Sequence, residues 1–281
     1  MTYLVTGATG GYGSYALKVL KELVPISETY VLARSEEKGQ ALKDAGYHVR
    51  IGTYSDEVSM KEALTGIDRL LFVSMGTDNR QANQKNVVSA AKEAGVSYIA
   101  YTSFPDADNS KSGLSGDHRF TEKLIKDSGI AHTFLRNNWY LENEMPIIGA
   151  AMASGKFVYA AGEGKTGWAL KREYAEVGAK ALAGSNFPEV LELSRKPTTY
   201  VELAEALEKG TGKKLEVISG SDQAFIDSLM AVGLPENVAE IFLSFQYDIK
   251  DGQLDVNSTD FEEALGHDLT PFPEALKELL K

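Results

Sequence analysis

The sequence predicts an α/β protein: a doubly wound parallel sheet with a smaller, mainly helical C-terminal lobe. Three observations carry this reading. Short apolar, β-branched runs alternate with helical apolar spacing from residue 2 to residue 135. The glycine cluster Gly7-Ala8-Thr9-Gly10-Gly11-Tyr12-Gly13 stands between the first run and the first helical pattern. From about residue 141 the alternation gives way to helical patterns with few strands.

In chain order, Thr2 to Thr6 reads as a strand. The next segment is a helix with apolar positions 16, 17, 20, 23 and 24, ended by Pro25. Strands follow at Thr29 to Ala33, Tyr47 to Ile51, Arg69 to Ser74, Ser97 to Thr102 and Ala131 to Leu135. Helices fall between them at 36–45, 56–64 with Asp56 as N-cap, 79–94 ended by Gly95, and 116–128 ended by Gly129. Beyond 141 the helical patterns are 142–154, 171–183, 199–209, 222–231, 235–246 and 273–280. Short strands fit Phe157 to Ala160, Val190 to Ser194 and Leu215 to Ile218. The expected organisation is a nucleotide-binding domain over 1–150, with about 186–195 returning to its sheet, and a substrate-binding lobe over 151–281.

The chain has 281 residues and 43% hydrophobic content, enough to bury a substantial core. It has no cysteine, which excludes disulfides, thiolate nucleophiles and Cys-based metal sites. The four histidines show no ligand spacing, so no metal site is expected. The formal charge is −11, and it is unevenly spread: residues 1–140 hold 16 basic and 16 acidic side chains, residues 141–281 hold 13 and 24. That balance argues against nucleic acid and anionic membrane surfaces as partners. No uncharged apolar run reaches the roughly 18 residues of a membrane span, and the expected location is cytoplasmic.

The glycine spacing G-x-x-G-x-x-G has a physical purpose. Small residues permit a tight turn, close approach of a pyrophosphate to backbone N–H groups, and close packing of helix on strand. Placed between a strand and an amphipathic helix, it predicts a Rossmann-like nucleotide site. After the second strand stands Arg34, with Lys38 one turn later, where an NAD site commonly carries an acid. A cation there accommodates the 2′-phosphate of NADP(H).

The chain resembles the NmrA-like group of atypical short-chain dehydrogenases/reductases, with its NADPH-dependent quinone oxidoreductase and triphenylmethane reductase branches. The matching segments are the glycine cluster, Arg34 with Lys38, Ile99 to Ser103, Thr121-Glu122-Lys123, Leu135 to Asn143 and Ala160 to Lys165. The resemblance implies that Gly7, Thr9, Gly10, Gly11, Tyr12 and Gly13 line the pyrophosphate and that Arg34 binds the 2′-phosphate. It places Ser74, Met75 and Gly76 along the adenosine and ribose. It also implies that Lys123 and the segment Asn137 to Asn143 border the nicotinamide and the substrate, with Asn138 counted among the cofactor-binding residues. Gly11 departs from the family pattern, which often has Gln there, and is expected to loosen the turn.

Conventional members of the wider superfamily protonate an alkoxide with a Tyr-x-x-x-Lys pair. None of the 13 tyrosines here is followed by lysine four positions later, and Arg119 precedes Lys123 at that spacing. Quinone reduction forms a phenolate-like anion of pKa about 10 and needs no such acid. The expected reaction is hydride transfer from NADPH to a quinone-like small molecule. Lys123, Asn137 and Tyr140 are the candidate catalytic residues, stabilising the anion and orienting the acceptor. A solvated helix residue is the competing reading of Lys123, and core packing that of Trp139 and Tyr140. The loop 106–113 reads as an exposed lid. A homodimer is a candidate assembly, and the acidic lobe favours a neutral or cationic substrate. The rival functions are a dinucleotide-sensing regulator without turnover and a nucleotide-sugar epimerase-like enzyme.

Overall fold

The computed structural model describes residues 1–76 and 79–281. The chain divides into two compact units, Met1–Asn137 with Lys171–Glu192, and Asn138–Leu170 with Leu193–Lys281.

In the first unit the elements run β1 (Tyr3–Val5), α1 (Gly11–Leu23), β2 (Thr29–Ala33), α2 (Glu36–Asp44), β3 (His48–Ile51), α3 (Glu57–Leu64) and β4 (Arg69–Phe72). They continue with α4 (Arg80–Ala94), β5 (Tyr98–Ser103), α5 (Ser115–Ser128) and β6 (Ala131–Asn137). The second unit begins with α6 (Met145–Ser154), β7 (Lys156–Tyr159) and β8 (Lys165–Thr166). The chain then returns to the first unit as α7 (Lys171–Ala183) and β9 (Val190–Leu193). It ends in the second with β10 (Thr198–Thr199), α8 (Tyr200–Thr211), β11 (Glu216–Ser219), α9 (Asp222–Met230), α10 (Glu236–Lys250), α11 (Asp260–Leu265) and α12 (Phe272–Leu279).

A seven-stranded sheet of order β3-β2-β1-β4-β5-β6-β9 organises the first unit. The pairs from β3 to β6 are parallel, with Val5 level with Val31 and Leu71, and Ser103 level with Arg136. The strand order reverses beside β1, which puts the ends of β1 and β4 at the topological switch point. Leu4, Phe72, Tyr101 and Phe134 form a core with Met60, Val87 and Ile125 from α3, α4 and α5. Asp56 caps α3 as expected, its carboxylate accepting from the Val58 N–H at 3.0 Å. The expected strand near 190 lies next to β6: the Phe134 N–H donates to Glu189 O at 2.8 Å.

The division differs from the expected 1–150 and 151–281. The chain leaves the sheet at Asn137, and α7 belongs with the first unit, where it packs alongside α1 and against β4, β5 and β6. Arg69 satisfies the end of α7 by donating to the carbonyls of Leu182 at 2.6 Å, Ala181 at 3.1 Å and Gly184 at 2.5 Å.

The second unit is helical, with two small sheets, β10-β8 antiparallel and β11-β7 parallel. Trp168, Tyr200, Phe157, Phe225 and Phe261 are fully buried in it. A Thr199/Glu202 capping box starts α8. The β8 and β10 pair and α11 are too short to show a periodicity in the sequence. Among the described residues no helix is long and apolar enough to cross a membrane.

Candidate active site

Strand β1 ends at Val5, and Thr6 fastens its exit. The Thr6 hydroxyl donates to Leu71 O at 3.2 Å and accepts from the Val73 N–H at 2.9 Å; the Tyr54 hydroxyl lies 2.6 Å from it. Tyr54 is also 2.8 Å from Val73 O, and burial pushes its phenol well above the usual range. This brace fixes the two strand ends from which the glycine turn springs.

Gly7 takes a φ of +61°, which opens the turn. The Gly10 N–H closes it on Gly7 O at 2.9 Å. A Cβ at Gly13 would overlap the Gly7 carbonyl, so the helix sits against the turn only because position 13 lacks a side chain. Gly10 is the N-cap of α1, with no side-chain cap and no acid in the first turn. Thr9, Gly10 and Gly11 are exposed. The helix therefore presents backbone N–H groups and the positive end of its dipole at an exposed, glycine-rich turn, the arrangement a dinucleotide pyrophosphate fits. Tyr12 differs from expectation: its side chain is buried, its hydroxyl donates to Tyr174 O at 3.0 Å, and it meets Gly178 of α7. The phenol is a brace between α1 and α7 because position 12 falls on the inward face of the helix.

Because β1, β2 and β4 are parallel and in register, Arg34 and Ser74 to Gly76 emerge on the same sheet edge as the glycine turn. Arg34 and Lys38 are exposed, and neither makes an ion pair among the described residues. Ser35 caps α2 by accepting from the Lys38 N–H at 3.3 Å. Ser74 is held by Thr102, whose hydroxyl accepts the Ser74 N–H at 2.7 Å. Met75 packs against the core, and Gly76 is exposed.

The ends of β5, β6 and β9 carry a buried charge cluster. Arg136 grips Glu122 with two bonds, Nε to Oε1 at 3.0 Å and Nη2 to Oε2 at 2.7 Å. It also reaches Glu192 at 3.0 Å and Asp108 at 2.8 Å. Ser103 is buried and donates to Glu122 at 2.6 Å. The Arg136 bonds hold the Asp108 carboxyl below its usual range and the guanidinium charged. Arg119 donates to Ala107 O and Ser110 O, each at 2.7 Å. The loop 106–113 is partly exposed as expected, at Asp108, Asn109, Lys111 and Gly113, but it is pinned at Asp108 and along its backbone, with Ala107, Ser110 and Ser112 buried.

Lys123 does not join these residues. Helix α5 buries Ser115, His118, Glu122 and Ile125 along one stripe, and Lys123 lies off it. Its side chain is 73% exposed and pairs with Asp127 at 2.6 Å. Asn137 is buried at the end of β6.

In the second unit Asn138 serves packing rather than an open site. Its amide nitrogen donates to Ser194 Oγ at 2.9 Å and Leu254 O at 3.0 Å. Tyr140 is half-buried and bridges to Ala169. Close by, Glu144 is buried and accepts from the indole N–H groups of Trp139 and Trp168, each at 3.0 Å, and from Tyr200. Gln246 completes the group: its Nε2 donates to the Tyr200 hydroxyl at 2.5 Å, and its Oε1 accepts from the Ala160 and Ala161 N–H groups at 3.0 and 3.1 Å. Burial pushes Glu144 up to about 7 against these bonds.

The model of the NmrA-like family matches residues 1–272. Quinone oxidoreductase 2 of Escherichia coli K12 is 37% identical over 278 residues, 98% of this chain and 97% of that protein. The crystal structure of the E. coli NADPH-dependent quinone oxidoreductase in complex with NADPH superposes with a TM-score of 0.92 at 36% identity, covering 100% of both chains. That of the Citrobacter sp. triphenylmethane reductase with NADP(H) gives 0.94 at 32% identity, covering 99% of this chain and 100% of that one.

Proposed function

The chain belongs to the NmrA-like family, and from that premise we propose that it is an NADPH-dependent oxidoreductase that passes a hydride to a quinone or a similar electron-poor conjugated acceptor. The observation that carries the reading is the glycine cradle at Gly7 to Gly13 on the same sheet edge as exposed Arg34. The relatives complexed with NADPH or NADP(H), which this chain matches over nearly its whole length, support it.

Bound NADPH supplies the hydride; the residues of the chain bind, orient and handle the proton. The N–H groups at the start of α1 take the pyrophosphate, and Arg34 with Lys38 takes the 2′-phosphate. Ser74, Met75 and Gly76 line the adenosine side. Asn137, at the end of β6, orients the acceptor through its amide. One hydride and one proton convert a quinone to its hydroquinone. The intermediate anion is phenolate-like, with a conjugate acid of pKa about 10, so a proton from water or a nearby hydroxyl suffices. That accords with Arg119, which ties down a loop at the position where a Tyr-x-x-x-Lys pair would have its tyrosine. Lys123, paired with Asp127 in solvent, takes no part.

Purified protein is expected to oxidise NADPH when a simple benzoquinone or naphthoquinone is supplied, with NADH much poorer. Tight NADPH binding with no quinone-dependent loss of the reduced-nicotinamide absorbance would overturn the enzyme reading in favour of a sensor. The reading also carries a cytoplasmic location, tested by fractionation, and a homodimer, tested by light scattering.

A further inference from the structure

We propose that Lys171 is a further cofactor-binding residue, whose ammonium group holds the dinucleotide pyrophosphate from across the glycine turn. The proposal rests on the NADP(H) reading above. Lys171 lies against Gly11. Gly11 is the first residue of α1 and is exposed. A Cβ placed on it would stand 3.3 Å from Lys171 Cδ and 3.8 Å from Lys171 Nζ. The Lys171 stem therefore lies across the very space that a side chain at position 11 would use. A longer residue there would collide with it.

The anchoring of α7 makes this placement firm. Tyr12, the residue after Gly11, donates its hydroxyl to Tyr174 O, three residues after Lys171, and its ring sits on Gly178. The two helices are thus tied one turn from the point where the lysine crosses the glycine. Gly11 leaves an opening in the turn, and α7 fills it with a cation instead of an uncharged side chain.

The charge matters because of what the turn lacks. An uncapped helix start offers an anion roughly half a positive charge, spread over N–H groups. Arg34 and Lys38 follow β2 and suit the 2′-phosphate, which NAD does not carry. The pyrophosphate is common to both dinucleotides, and Lys171 adds a full charge beside its cradle. Arg34 then sets the choice between NADP and NAD, whereas Lys171 sets the affinity for either.

The test measures dissociation constants by calorimetry for NADP+, NAD+ and adenosine 2′-monophosphate, which has no pyrophosphate. Lys171→Gln is expected to weaken both dinucleotides by the same factor, about tenfold or more, and to leave the monophosphate within about twofold. Lys171→Arg is expected to retain most of the affinity. Gly11→Gln, which is free of backbone strain, is expected to displace the lysine stem and weaken both dinucleotides. Wild-type affinity for both dinucleotides in Lys171→Gln overturns the proposal, as does loss of NADP+ alone. Should Lys171→Gln fold poorly, Gly11→Gln decides: unchanged affinity for both dinucleotides overturns the proposal. If the wild-type protein binds neither dinucleotide, the cofactor reading falls and the Lys171 role falls with it; failure of the variants alone removes only Lys171.

Discussion

The hydroxyl of Tyr200 lies 3.1 Å from Oε1 and 3.0 Å from Oε2 of Glu144, so one phenol spans both oxygens of a fully buried carboxyl. Desolvation raises Glu144 from its ordinary 4.5 to about 7. The folded protein therefore holds this proton more tightly than the unfolded chain. The stabilising contribution is complete below about pH 4.5 and is lost as pH rises through about 7. Relative to Glu144→Gln, the wild type is expected to lose about 2 kcal/mol between about pH 5 and pH 8. Urea midpoints of the two proteins across that range check this; a constant difference would exclude the buried titration.

His118 works in the opposite direction. Its Nδ1 is 3.0 Å from the Tyr101 hydroxyl, and burial, with the charge of Arg80 adding, lowers the imidazole from 6.5 to about 4. Its contribution is complete above about pH 6.5 and is lost as pH falls through about 4. Relative to His118→Asn, the wild type is expected to lose about 2 kcal/mol between about pH 7 and pH 5. Over that interval the Glu144 and His118 contributions oppose each other and nearly cancel in the wild type, so each single variant is expected to depend on pH more strongly than either the wild type or the double variant with Glu144→Gln.

Removing Arg136 strands the buried carboxylate of Glu122, which also holds Ser103. Arg136→Met is expected to cost about 3–5 kcal/mol of stability, and the added change Glu122→Gln to recover part of that. Denaturation of the single and double variants measures the coupling, and strictly additive losses would contradict it.

Arg34→Asp replaces the exposed cation after β2 with the residue type that suits a free ribose hydroxyl. NADPH affinity is expected to fall about tenfold to a hundredfold relative to NADH. An unchanged preference, read from the ratio of dissociation constants, removes Arg34 from the site.

Gly13→Ala puts a methyl group against the Gly7 carbonyl. The expected result is a loss of about 1–3 kcal/mol together with weakened dinucleotide binding. A variant of wild-type stability would show that the turn can relax away from α1.

Sequence patterns were most informative where one local rule acts alone. The alternation of strands and helices to residue 135, the Asp56 cap and the glycine turn each follow from spacing or from a single residue's chemistry. The boundary at Asn137 was not legible, because α7 has the same amphipathic pattern whichever unit it packs on. The buried charge cluster had a trace in the sequence: Arg136 follows Phe134 and Leu135 in a strand, and an arginine in an apolar run needs a partner. Nothing local names Glu122 and Glu192 as those partners, since they come from a helix and from a strand more than fifty residues on. The exposure of Lys123 has a related cause. Family position carries over to the backbone, while helical phase decided which of Glu122 and Lys123 faces inward. Gln246 belongs to a stretch without motif, and only folding brings it to Tyr200.

The indole bonds to Glu144 have a spectroscopic consequence. Trp139 and Trp168 are the two tryptophans of the chain, and both belong to the second unit. Tryptophan emission thus observes that unit alone and passes over the nucleotide-binding sheet. A denaturation curve followed by emission will coincide with one followed by far-ultraviolet circular dichroism only if the two units melt as one cooperative body. Separation of the two curves would give each unit its own stability.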